Sequence, residues 1–284
     1  MSLIYQYEAE SQSVYVPSNS SDLNSPNVVG NKRAIAQAFG KAAKTYDEHA
    51  AFQRNVGHCL LKLLPHDLSG LSILDLGCGT GYFSQQLALR GAQVTAFDLS
   101  DAMLEQCRLR CRQLSVEYIQ GDAETLSFES EQFNIIFSSL AIQWCDDLDA
   151  LVKSLINIIQ PSGKVIFSTL LEGSLFELQQ SWKNVDENQH VNQFHHLSSI
   201  QRAVDLSDAI SHHIECVEMI SWYDSSLGLM RDLKGIGATH VTGRSNRVTK
   251  KSDLSLVEEA YQVFCNPMGQ LPATYQVCLG CISK

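Results

Sequence analysis

The sequence predicts a doubly wound α/β fold around a parallel sheet, and three observations predict it. Five short apolar runs, at 72–76, 93–97, 116–119, 134–138 and 164–170, alternate with helical stretches that start near Tyr82, Asp101 and Leu148. The runs are rich in Ile, Leu, Val and Phe without strict alternation, which suits strands covered on both faces. The first run passes directly into a glycine-rich turn, Gly77-Cys78-Gly79-Thr80-Gly81, where an open sheet places its ligand.

Taken in chain order, residues 1–29 hold Ser, Asn, Pro and Gln with no periodic apolar face and read as a disordered tail. Order is expected from about Asn31. The stretch 34–51 reads as a helix interrupted at Gly40. A second helix follows, with Phe52, Val56, Leu60 and Leu63 on one face, and Pro65 closes it. The five strand–helix repeats come next. Beyond Leu170 the rhythm breaks: residues 171–210 carry helical patterns at 175–185 and 197–206 and read as an insertion placed to cover the open edge of the sheet. Strand-like runs return at 216–222 and 275–282. Residues 30–284 are thus expected to form one domain, with N-terminal lid helices over 31–64 and the helical insertion over 171–210.

Composition narrows the function classes. Apolar residues are 44% of the 284 and charged residues 18%, ordinary for a globular chain that buries its own core. A formal charge of −10 argues against general attraction to nucleic acid or an anionic membrane. No apolar run approaches the ~20 residues that span a bilayer. The nine cysteines are an odd number without paired metal-ligand spacing, and no apolar, positively flanked segment opens the chain. Reduced thiols and a cytoplasmic location are therefore expected. The nine histidines show no metal-ligand spacing either, so no metal is expected, and His195, His196, His212 and His213 are read as solvent-facing. One local reversal of charge stands out: Arg231, Lys234, Arg244, Arg247, Lys250 and Lys251 against the single acid Asp232. It reads either as a solvated loop or as a landing area for an acidic partner.

The spacing of the turn is G-x-G-x-G rather than the G-x-G-x-x-G of a dinucleotide fingerprint. With no phosphates to cradle, Asp75 at its start either accepts from a cationic amino group or orders the loop. Asp98 ends the second strand, where a carboxylate can take both ribose hydroxyls. Asp122, within Gly121-Asp122-Ala123-Glu124 after the third strand, can accept from an adenine amino group, with the backbone of Ala123 beside it. Singly, these acids also read as a helix cap and a turn residue. Together they end three consecutive strands.

On these residues the chain resembles the class I S-adenosylmethionine-dependent methyltransferases. The resemblance implies that Gly77, Gly79 and Gly81 pass under the methionine part of the cofactor, that Asp98 and Asp122 are the ribose-side and adenine-side acids, and that Leu140 lines the same pocket. It also implies a seven-stranded, mostly parallel sheet whose last strand, at 275–282, runs antiparallel. Segments outside the loop narrow the likeness: AFGKAAKTYDEHAAFQR at 38–54, LAIQWCDDL at 140–148, GSLFELQQSWKNVDE at 173–187, LKGIGATH at 233–240 and LPATYQVCLG at 271–280. From about Asn31 onward these resemble the malonyl-acyl-carrier-protein O-methyltransferases of biotin biosynthesis.

That likeness implies methylation of the free carboxylate of a malonyl thioester, on acyl-carrier protein or coenzyme A, so that fatty-acid synthesis enzymes can extend the masked chain towards pimeloyl. The alternative is a small carboxylic acid or a quinone precursor as acceptor, and a third reading is a non-catalytic module of the same fold. A malonyl carboxylate is already ionised at neutral pH, so no His/Asp base pair is required. The expected substrate groups are Arg231 as carboxylate clamp, with Tyr46 and Trp144 closing the pocket; Trp144 and Tyr46 also read as packing aromatics. The other basic residues of 231–251 are expected to meet the acidic carrier. A monomer is expected.

Overall fold

The computed structural model describes residues 26–238 and 249–284. The five predicted strands form β1 (Ser72–Leu76), β2 (Gln93–Asp98), β3 (Val116–Gln120), β4 (Phe133–Ser139) and β5 (Ile159–Leu170), followed by β6 (Ser211–Tyr223) and β7 (Leu271–Ser283). They build one sheet in the order β3-β2-β1-β4-β5-β7-β6. β1 to β5 pair in parallel, and β7 lies antiparallel between β5 and β6.

The lack of alternation in the apolar runs has a direct structural cause. Along β1, Ile73 points into one core and Leu74 into the other; Ile135, Phe137 and Ile166 join Ile73, while Ile136, Val165 and Phe167 join Leu74. Successive side chains of a strand face opposite sides, so a strand with helices on both faces is apolar at every position. One face is covered by α6 (Leu148–Ile158) and α8 (Leu197–Asp205). The other is covered by α3 (Ala51–Leu61) and α4 (Tyr82–Leu89), through Leu60, Leu61 and Leu87. β6, at the edge, exposes His212, His213 and Glu218, the polar edge that discourages further pairing.

Three expectations are corrected. The first helix, α1 (Pro26–Ala42), begins at Pro26, within the stretch read as a tail, and runs through Gly40 without a break. A Cβ at Gly40 would stand 3.3 Å from Ser100 Oγ and 3.6 Å from Ala102 Cβ, so the glycine permits close packing on the start of α5 (Asp101–Cys111) rather than ending the helix. The chain turns instead at 43–45, before the short α2 (Tyr46–His49). Second, Phe52, Val56 and Leu60 are buried as their spacing predicts, but Leu63 lies beyond the end of α3 and is 55% exposed. Third, the edge of β5 is closed by β7, not by the insertion: α7 (Phe176–Lys183) packs on β7, and α8 packs on α6 and β6. The rest of the expected tail lies outside the described residues.

The charge run is partly helical. α9 (Ser226–Gly235) and α10 (Lys251–Tyr261) pack together between β6 and β7. Each buries only a few apolar residues, such as Leu229 on α9 and Val257 and Tyr261 on α10. So short an apolar stripe is a weak periodic signal. Arg244 and Arg247 lie outside the described residues. Among the described residues, no helix is long and apolar enough to cross a membrane.

Candidate active site

Strand order reverses at β1, whose neighbours β2 and β4 lead to opposite halves of the sheet. Side-by-side loops after β1, β2, β3 and β4 therefore enclose a crevice at the carboxyl ends of the strands. The crevice encloses about 780 Å³ of space, part of it open to solvent.

The glycine turn is fixed from below. The N–H groups of Gly77 and Cys78 both donate to the Phe97 carbonyl, at 2.8 and 3.0 Å, which ties the end of β1 to that of β2. Gly77 has φ +75°, and a Cβ there would lie 2.3 Å from Ala141 Cβ. Gly79 has φ +54° with no atom near its missing Cβ, so its bare backbone faces open space at the cavity wall. Gly81 is absent from the wall; it lets α4 start hard against α5, where a Cβ would meet Cys107 Sγ at 2.3 Å. Asp75 is also outside the wall. Only 2% exposed, it accepts from the Ser84 hydroxyl at 2.5 Å and joins β1 to α4 beneath the loop. Burial pushes its carboxyl up to about 7, against the opposing pull of the Ser84 hydrogen bond.

Asp98 reaches the cavity. Its Oδ2 accepts from Gly79 N–H and its Oδ1 from Ser100 N–H, both at 2.8 Å. Each oxygen retains a lone pair for a hydroxyl group. Burial pushes this carboxyl up to about 6, and the two backbone donors limit the rise. Asp122 caps the turn after β3, its Oδ1 accepting from Glu124 N–H at 3.1 Å, and it lines the cavity with Ala123. Leu140 lines it from a left-handed backbone position, φ +53°, held by hydrogen bonds from its N–H to the carbonyl and hydroxyl of Ser168, both at 3.1 Å.

The N-terminal helices form the remaining wall. Lys32 on α1 pairs with Glu124, stands 3.6 Å from Asp122 and donates to the Trp144 carbonyl at 2.8 Å. Asp47 on α2 accepts from the Thr80 hydroxyl at 2.7 Å and pairs with Arg110 of α5. Lys32, Ile35 and Phe39 were not singled out from the sequence, although their i, i+3, i+7 spacing puts them on one helix face. Phe39 meets Trp144 edge to face at 5.3 Å between ring centres.

Tyr46 and Trp144, together with Phe39 and Leu140, also line a second cavity of about 690 Å³. Its other walls come from α3, α7 and the loop after it, the end of α9 and β7, through Phe52, Leu178, His190, Ile236 and Tyr275. Burial, with Asp98 and Asp47 nearby, raises the Tyr46 hydroxyl well above the ordinary tyrosine value, so it stays a neutral phenol. Arg231 is not brought to either cavity. Leu229, Leu233 and Ile236 occupy the inner side of α9, and Arg231 projects from its exposed side. Of the histidines read as solvent-facing, His196, His212 and His213 are exposed, while His195 turns inward and its Nε2 meets the Cys145 carbonyl at 3.0 Å.

The residues fit a nucleoside bearing an amino-acid arm: bare Gly79 backbone at one end, the Asp98 carboxylate at the strand tip and Asp122 beyond it. A methyltransferase-domain family matches residues 74–167. In fold, the chain is similar to the YcgJ protein of Bacillus subtilis, with a TM-score of 0.59 at 16% identity over 81% of this chain and 98% of that one. It is similar also to phosphoethanolamine N-methyltransferase 2 of Haemonchus contortus, solved with S-adenosyl-L-methionine, with a TM-score of 0.56 at 20% identity over 86% and 57%. Fold, cleft and domain match together define a class I S-adenosylmethionine-dependent methyltransferase.

Among curated relatives, the malonyl-[acyl-carrier protein] O-methyltransferase of Serratia marcescens is 41% identical over 263 residues, covering 92% of this chain and all of that one. The Salmonella typhimurium enzyme of the same name is 39% identical over 255 residues, 89% of this chain and 98% of that one. The chain belongs to the malonyl-[acyl-carrier protein] O-methyltransferase family.

Proposed function

We propose that the chain transfers the methyl group of S-adenosylmethionine to the free carboxylate of a malonyl thioester on acyl-carrier protein. The carrying observation is the junction of the two cavities at Tyr46 and Trp144. A donor in the first cavity and an acceptor in the second meet across the residues that line both, Tyr46 and Trp144 with Phe39 and Leu140. When bound, the cofactor supplies an electrophilic methyl on a sulfonium.

The protein's own contribution is positioning and exclusion of water. Carboxylate attack on a sulfonium dissipates charge, so an apolar surround favours the step, and no proton has to be removed. The second cavity suits this: among the described residues that line it there is no Asp, Glu, Lys or Arg. Tyr46, held as a phenol, is available as a donor and not as a base. α1 to α3 are the proposed lid, anchored through Lys32 and Asp47 across the cofactor loops. Asp75 orders the loop, Gly77 and Gly79 carry the methionine arm, Asp98 holds the ribose, and Asp122 with Ala123 and Leu140 frames the adenine.

A carboxylate clamp on Arg231 would need its guanidinium inside the second cavity, and its exposed position supports docking instead. Arg231 and Lys234 on α9 and Lys250 and Lys251 at the start of α10 are all exposed, and Leu233, Ile236 and Ala238 beside them line the cavity. This basic rim suits an acidic carrier delivering its thioester. Incubation with labelled cofactor and malonyl carrier protein, beside acetyl carrier protein, tests the function. Label on the malonyl form alone is expected; no label on it refutes the acceptor. Arg231→Ala is expected to lower turnover on the carrier more at low salt than at high salt, the mark of a screened docking contact.

A further inference from the structure

The acceptor cavity has apolar walls and, among its described lining residues, a single side chain able to carry positive charge: His190, in the loop after α7. Nothing in its local sequence marks it. The structure, however, holds it from two directions. Its Nε2 meets Asp186 Oδ1 at 2.8 Å, and its ring lies flat on Trp182, with centres 3.7 Å apart and planes 6° from parallel. Both members of the pair are largely buried, the His190 side chain being 9% exposed and that of Asp186 12%. The ring is thus held on one nitrogen and one face.

We propose that His190 receives the acceptor's carboxylate through Nδ1, and so is a substrate-contacting, specificity-determining residue. The inference rests on the carboxyl-methylating reading of the same cavity. Burial alone would raise the Asp186 carboxyl, but hydrogen bonds from His190 and Asn188 outweigh it and hold it at about 2. Asp186 is therefore a carboxylate, and Nε2 carries the proton between them. A second carboxylate at Nδ1 requires a proton there as well, so the ring donates from both nitrogens while the acceptor is bound. The Asp186–His190 pair then has no net charge. It offers a directed hydrogen bond without the excess positive charge that would favour the substrate anion over a transition state losing its charge. An arginine in the same place would grip the ground state harder. A second feature points to a ligand in this cavity. Gln53 lines it, and its Oε1 is buried with no hydrogen-bond partner among the described residues, an unmet polar group of the kind a bound molecule completes.

The test uses the full chain with malonyl carrier protein and three substitutions chosen by geometry. The amide nitrogen of an asparagine falls near the position of Nδ1, and that of a glutamine near Nε2. His190→Ala is expected to raise KM for malonyl carrier protein by about tenfold or more, with KM for the cofactor changed by less than about twofold. His190→Asn recovers most of the loss and His190→Gln does not. In calorimetry with S-adenosylhomocysteine present, His190→Ala weakens binding of malonyl carrier protein but not of its methyl ester, which lacks the charge.

Equal recovery by asparagine and glutamine, an unchanged malonyl KM in His190→Ala, or equal weakening of acid and ester would each overturn the assignment and leave the ring a packing role. Wild-type protein that methylates no malonyl thioester would instead bring down the proposed function, and this inference with it. Normal wild-type turnover with unaffected variants brings down the inference alone.

Discussion

Replacing Asp75 by asparagine is expected to stabilise the cofactor-free protein, and to do so only above a definable pH. The carboxyl is 2% exposed and sits under the glycine turn, hydrogen-bonded by the hydroxyl and the backbone of Ser84. Burial raises it from 3.8 to about 7. At about 1.4 kcal/mol per pH unit this corresponds to about 4 kcal/mol, an upper figure for a group whose surroundings relax on ionisation. The sign follows from proton binding. Between about pH 4 and 7 the folded state holds a proton that the unfolded state has lost, so stability falls as pH rises through that window and levels off above it. Asparagine resembles the protonated acid, keeps an acceptor for Ser84, and does not titrate. Urea denaturation of both proteins at pH 5 and pH 8, without cofactor, measures the difference. The asparagine variant should gain about 1.5 kcal/mol at pH 5 and about 4 kcal/mol at pH 8. A stability difference independent of pH would refute the assignment of a buried, destabilising carboxylate. The cationic groups of the cofactor favour the ionised form, so added S-adenosylmethionine should raise the wild-type melting temperature more than that of the variant.

Two of the cavity-facing glycines, Gly77 and Gly79, separate strain from access. Gly77→Ala meets Ala141 Cβ at φ +75° and should cost about 2 kcal/mol or more of stability, read by thermal denaturation. Gly79→Ala meets no neighbour, so it should cost about 1 kcal/mol in stability yet weaken cofactor binding about tenfold or more in calorimetry; unchanged affinity would remove the backbone of Gly79 from the site. Lys32→Met removes the tie from α1 to Glu124, Asp122 and the Trp144 carbonyl and should speed cofactor release in stopped flow; an unchanged off-rate would deny α1 a lid function. Tyr46→Phe should lower turnover by less than about tenfold with the pH–rate profile unchanged, since a phenol raised by burial does not ionise in the working range. A lost basic limb would mean that Tyr46 acts as a base.

What was legible in the sequence is what lies close together along the chain. Asp98 ends a strand, Gly77, Gly79, Asp122 and Leu140 each follow one within a few residues, and parallel strands bring their carboxyl ends to one edge by topology alone. Their place in the cleft was therefore determined once five strands could be counted. The exceptions within that motif, Asp75 and Gly81, needed the tertiary structure: one lies below the loop against α4 and the other packs on Cys107 of α5. Of the second cavity, only Tyr46 and Trp144 were legible. Phe39, Gln53, Trp144, His190 and Tyr275 come from five separate elements or loops, and only packing of the N-terminal helices against β7 and the α7 loop brings them together. Arg231 shows the same division. Its charge and neighbourhood were plain from the sequence, but the rotation of α9, set by burial of Leu229 and Ile236, decides that its side chain stands outside. Local spacing fixes which backbone a ligand can approach, and long-range packing decides which side chains turn to meet it.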